Sequence, residues 1–204
     1  MAKTKTEIFT QIGADLPDNT AGLITPAALR GVLTQMADAP IYANPGVKEV
    51  EVLRAASTVV QAPAAVDTPI TLSFGAAQKS ASDPVMINAA GLVTFNQAGN
   101  YAVRIKTQNG RTGASGTSIL LMRILVNGAQ YGSPAATKIT ATDSTVPTES
   151  RVSRDFSAGQ TLNIQIMRDS AGTNFGGVYP QAATVTAWGT APSALLVISR
   201  LEAA

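Results

Sequence analysis

Hydrophobic residues recur along this chain with two different periods, and the change falls near residue 47. In the first stretch Ile8, Ile12 and Leu16 are four residues apart, which lines them up on one stripe of an α-helix. Leu16-Pro17-Asp18-Asn19 ends that helix with a proline and turn formers. A second helix is signalled by Thr25 as N-cap and Pro26 in the first helical position. Leu29, Val32, Leu33 and Met36 follow on one face, and Asp38-Ala39-Pro40 closes it. Gly31 costs this helix about 1 kcal/mol against alanine; a close helix contact and a tolerated surface glycine explain it equally well. Helices this short are marginal in water on their own. Residues 1–46 are therefore expected to form a helical arm that docks on something else.

From residue 47 the period becomes two. Val47, Glu49 and Glu51 alternate with Lys48, Val50 and Val52. Short β-type runs follow at Val59-Val60, Ile70 to Phe74, Leu92 to Phe95, Tyr101 to Lys106, Ser118 to Val126, Arg151 to Phe156, Leu162 to Met167, Ala183 to Trp188 and Leu195 to Leu201. Turn residues separate them: Gly91, Ala98-Gly99-Asn100, Asn109-Gly110, Asn127-Gly128, Ala158-Gly159, Ala171-Gly172 and Gly176-Gly177. Many short strands with regular turns and no intervening helix predict a sandwich or barrel over residues 47–204.

One run breaks the usual rule for a strand with a wet face. In Ser118 to Val126, one side carries Leu120, Met122, Ile124 and Val126, and the other Ile119, Leu121 and Leu125, interrupted by Arg123. Both faces call for burial. The closing run sets Leu195, Val197 and Ser199 against Leu196, Ile198 and Leu201. Burying each Leu or Ile is worth roughly 1.5–3 kcal/mol, so an exposed row of them marks an interface. Ile119, Leu121, Leu125, Leu196 and Ile198 are the expected intersubunit residues. Cover by the chain's own arm is the competing explanation.

Several motifs carry a family resemblance. Gly91-Leu-Val-Thr-Phe-Asn-Gln-Ala-Gly-Asn-Tyr-Ala-Val-Arg-Ile105 resembles the G-x-[FV]-T-F-x-x-x-G-x-Y-x-V signature of C1q/TNF-like jelly rolls. Ile124 to Gly128, Phe156 to Ile164 and Ser193 to Leu201 resemble later signatures of that family, with Gln160 where Asp is common. The resemblance spans roughly residues 55–201 and implies a jelly-roll β-sandwich that assembles as a homotrimer through apolar sheet faces. It is specific to a fold rather than to a function. The arm is similar to N-terminal segments of phage virion proteins: Leu16 to Arg30, then Leu33 and Asp38, matches an I-T-P-x-x-L-R-x-x-L helix that anchors fibre, head-fibre and decoration proteins to the particle. That likeness implies anchoring by Ile24, Pro26, Leu29, Arg30, Leu33 and Met36.

Composition narrows the chemistry. Of 204 residues only 14% are charged while 45% are hydrophobic. Low charge against a typical ~25% suggests surface buried on partners or covered by Thr, Ser, Asn and Gln. The net charge of +2 contains no basic run, so no nucleic-acid partner is expected. With no Cys and no His, the Ser/His/Asp and Cys/His nucleophile systems are excluded, as is the commonest metal ligand. Asp143, Glu149, Asp155 and Asp169 are interspersed with Arg151, Arg154 and Arg168, which reads as surface ion pairs rather than a glycosidase dyad. The Gly110, Gly113, Gly116 run lacks the Lys-Ser/Thr of a phosphate loop and reads as a flexible loop over Asn109 to Thr117. No segment approaches ~18 consecutive apolar residues, so no membrane span is expected. Phe175 and Tyr179 are candidates for a loop-tip contact, or for a plug at the end of the sandwich.

The expectation is thus a mainly β protein: a jelly-roll sandwich (C1q/TNF-like) with a short N-terminal α-helical arm. It is expected to be non-enzymatic and to need no cofactor. The expected role is a homotrimeric capsid decoration or head-fibre protein, assembled in a host cytoplasm, carried on the virion and bound to the major capsid protein or another virion protein. A tail-fibre or receptor-binding tip is the alternative.

Overall fold

The computed structural model describes residues 47–112, 116–142, 145–170 and 175–203. The arm, and with it Ile24, Pro26, Leu29, Arg30, Leu33 and Met36, lies outside these residues. In chain order the strands are β1 (Val47–Ser57), β2 (Ile70–Thr71), β3 (Val85–Ile87), β4 (Val93–Phe95), β5 (Gly99–Thr112), β6 (Ser118–Val126), β7 (Ala129–Ile139), β8 (Thr145–Phe156), β9 (Thr161–Arg168), β10 (Phe175–Val178), β11 (Gln181–Ala182), β12 (Thr190–Ala191) and β13 (Ala194–Ala203).

They form two main sheets. The first has the order β1-β13-β5-β10, with β8 on the other side of β5; the second has the order β3-β4-β9-β6-β7, with β2 also on β9. Every ladder with a resolved register is antiparallel, and each sheet mixes strands distant in sequence. This is the jelly-roll arrangement the motifs imply.

The core lies between the sheets. Alternate residues of each strand point into it: Leu120, Met122, Ile124 and Val126 from β6, Leu162, Ile164 and Ile166 from β9, Val103 and Ile105 from β5. One end is closed by aromatic rings. Phe95 stacks on Phe156 with centroids 3.8 Å apart, and Tyr101 tilts against Phe95 at 5.0 Å. The Arg154 guanidinium lies over both Tyr131 (4.9 Å) and Phe156 (5.0 Å), bridging β8 and β7.

Several local readings need correction. Asn109-Gly110 is not a turn but part of β5, paired with Val146 and Thr145. The Asn109 amide is buried and donates to Thr137 Oγ1 and Thr148 Oγ1, each at 2.9 Å, which gives a turn-forming residue a strand partner instead. Gly176-Gly177 is also strand, because the chain passes too close for side chains: a Cβ on Gly176 would stand 1.9 Å from Ser118 Oγ. Val59-Val60 and Ala183 to Trp188 are not strands. Asn127-Gly128 does form the two-residue turn between β6 and β7, with Asn127 at φ 49° and Gly128 at 78°.

The edge strands β7 and β8 each contain a proline, Pro134 and Pro147. Within β7, Gly132, Ser133 and Pro134 together stand opposite Arg123, because the pairing jumps from Met122↔Ala135 to Ile124↔Tyr131. This bulge pushes β7 away from β6 at that point.

Candidate docking surface

The outward face of β6 is the candidate surface. With Leu120, Met122, Ile124 and Val126 committed to the core, alternation turns Ile119, Leu121, Arg123 and Leu125 outward. Their cross-strand neighbours on β9 are Met167 beside Leu121, Gln165 beside Arg123 and Asn163 beside Leu125. On β7 they are Lys138 beside Ile119, Ala136 beside Leu121 and Gln130 beside Leu125. Ile119, Leu121 and Met167 are half-buried. Arg123 is held in the plane of the sheet: its Nε and Nη2 both donate to Gln165 Oε1, at 3.0 and 2.8 Å. The β7 bulge leaves a groove of about 360 Å³ here, lined by Pro69, Leu121, Arg123, Pro134, Gln165 and Met167. Its floor is mainly apolar, with the Arg123 guanidinium fixed in it and Asp67 also in the lining.

The expected interface residues divide. Ile119 and Leu121 stand on this face. Leu125 does too, but its own sheet neighbours leave it only 7% exposed. Leu196 and Ile198 are corrected: both are fully buried in the chain's own core, paired with Ile105 and Val103 of β5. Phase explains the error. On β13 the residues turned away from the core are Leu195, Val197 and Ser199, and a nearly continuous apolar run does not tell which set faces in.

The outer face of the first sheet is built differently. Glu49 accepts hydrogen bonds from Arg104 Nη2 at 2.7 Å and from Arg151 Nη2 at 2.5 Å, so one carboxylate of β1 reaches over β13 to both β5 and β8. Lys106 pairs with Glu149 at 3.1 Å and Arg54 with Glu51 at 2.7 Å. The Arg54 bond lowers the Glu51 carboxyl pKa below its ordinary value. These pairs surround Leu195, Val197 and Ser199 in a shallow groove of about 300 Å³. Their side chains are 31–58% exposed, so each pair adds little stability.

The two loop-tip or plug candidates, Phe175 and Tyr179, lie at the two ends of β10. Phe175 opens β10 and pairs with Thr112. Tyr179 follows β10 directly, half-buried, with its N–H bonded to Gln108 O at 2.9 Å. Among the described residues the most exposed aromatic lies further on. β11 and β12 make a small hairpin, and its tip carries Val185 and Trp188, 58% and 85% exposed. The signal was legible, since Trp188 sits in a long uncharged stretch, but strand-like alternation drew Ala183 to Trp188 into a sheet.

Among the described residues no group of three or more Asp or Glu side chains is placed to hold a metal. No family model matches the chain and no curated protein matches it. Solved structures do. A crystal structure of murine APRIL aligns with 11% identity over 76% of this chain and 100% of its own, TM-score 0.46. Eiger TNF from S. frugiperda aligns with 13% identity over 76% and 94%, TM-score 0.41. The domain is a jelly-roll β-sandwich, as its strand order shows.

Proposed function

We propose that this chain is a structural protein of a bacteriophage virion, a homotrimeric capsid decoration or head-fibre protein. Residues 1–46 anchor it through Ile24, Pro26, Leu29, Arg30, Leu33 and Met36, and the jelly roll at 47–204 binds and bridges capsid subunits. The observation that carries self-association is the outward face of β6, where Ile119 and Leu121 beside Met167 stand on the far side from the core. The helix motif of the arm supports particle attachment. The low share of charge supports a surface partly spent on partners. The work is mechanical: burial of apolar area between copies, with no reaction to catalyse.

Two measurements test this. Light scattering on the purified chain is expected to give the mass of three copies; the mass of one would remove the trimer. Deleting residues 1–40 is expected to leave the oligomer intact and abolish binding to phage particles. Truncated protein that still decorates capsids would refute the anchor, and a label found at the tail tip in particle images would favour the receptor-binding alternative.

A further inference from the structure

We propose that Asn127 is a self-modification site: in the folded chain its side-chain amide is lost to attack by the next backbone nitrogen, while the same pair of residues at Asn109-Gly110 is kept inert. The proposal goes beyond the function above and does not depend on it. Asparagine followed by glycine is chemically the pair most open to this reaction, because glycine has no side chain to hinder its nitrogen. The chain holds two such pairs, Asn109-Gly110 and Asn127-Gly128, and the fold treats them oppositely. Asn109 is 3% exposed, and its Nδ2 is engaged by Thr137 Oγ1 and Thr148 Oγ1, each at 2.9 Å. Its backbone and that of Gly110 lie between β8, opposite Val146 and Thr145, and β10, opposite Val178 and Gly177. Asn127 and Gly128 are both exposed, in the turn between β6 and β7. A Cβ built on Gly128 meets nothing within 4 Å, so a ring has room to form there.

The reaction needs only solvent. The Gly128 nitrogen gives up its proton to water or hydroxide and attacks Asn127 Cγ. The N–Cγ bond forms, the Cγ–Nδ2 bond breaks, and Nδ2 takes up a proton and leaves as ammonia. Water then adds to either carbonyl of the cyclic imide. Opening one way gives aspartate; opening the other way gives isoaspartate, which lengthens the main chain of the turn by the side-chain methylene. Charge that develops on Oδ1 during the attack is met by Thr161, whose N–H donates to that oxygen at 2.9 Å. The aspartate product keeps this acceptor for Thr161. The isoaspartate product moves it and disturbs the match of Val126 with Ala129 across the turn.

Trypsin separates the two pairs, because cleavage after Lys106 and Arg111 and after Arg123 and Lys138 puts Asn109 in peptide 107–111 and Asn127 in peptide 124–138. The full chain is held in warm, mildly alkaline heavy-oxygen water, folded or in urea, then returned to ordinary water and digested. Fragment masses place the incorporated oxygen at a given asparagine. In the folded chain Asn127 is expected to gain label at least about tenfold faster than Asn109, because reaching Asn109 requires opening β5 from its neighbours. In urea the two rates are expected to come together, since the residues then differ only in their flanking sequence. A folded chain in which Asn109 keeps pace with Asn127 would overturn the assignment. So would a folded chain in which neither gains label over a time that labels both in urea.

Discussion

Tyr101 sits at the closed end of the core with no exposed surface, its hydroxyl donating to Gln97 O at 3.0 Å. Burial raises its pKa above the ordinary tyrosine value, and the nearby Arg200 charge opposes this in part. With a raised folded-state pKa, the full stability is present below about pH 10, where both states keep the proton. Above that the unfolded chain ionises first, and stability falls as pH rises. Tyr101→Phe is expected to flatten this alkaline decline in urea midpoints relative to the parent chain. Burial separates the sheet faces just as sharply. Leu196→Ala is expected to cost 2–5 kcal/mol of folding stability, roughly what a core leucine is worth. Leu121→Ala, half-exposed, is expected to change unfolding of the isolated chain far less and to weaken self-association instead. Chemical denaturation and scattering mass, measured on both variants, distinguish the two roles.

Among the elements, the β6–β7 turn is fixed by two residues. Asn127 takes a positive φ, and its Oδ1 accepts from Thr161 N at 2.9 Å, tying the turn to the start of β9. Asn127→Ala loses the bond and strains the turn, so a loss of about 1–3 kcal/mol is expected in denaturant titration. This turn was legible in the sequence, as were β6, β9 and β13, because their alternating or continuous apolar residues have no competing interpretation. Strand β7 was not legible. Ala129 to Pro134 offers little apolar alternation and carries Gly132 and Pro134, and only its position beside β6 makes it a strand. Asn109-Gly110 and Gly176-Gly177 misled for the opposite reason. Their glycines serve close packing between backbones, a long-range need that no local pattern reveals. On β6 the period distinguished the two faces. On β13 it showed that two faces exist without telling which one the core would take, so Leu196 and Ile198 were placed on the wrong side.

For the whole molecule, the ion pairs that Glu49 makes across the first sheet have a modest consequence. Glu49→Gln is expected to change stability by less than about 1 kcal/mol, with the difference fading in high salt; melting curves at low and high ionic strength test this. The prolines in β7 and β8 reach further. Both strands lie at sheet edges, and a proline there has no N–H to offer an incoming backbone. An unbroken edge strand would otherwise be open to growth strand upon strand into cross-β fibres. With these donors removed, β7 and β8 each offer an incoming strand an interrupted ladder. Pro147→Thr is therefore expected to bind thioflavin on prolonged concentrated storage, under conditions in which the parent chain remains clear.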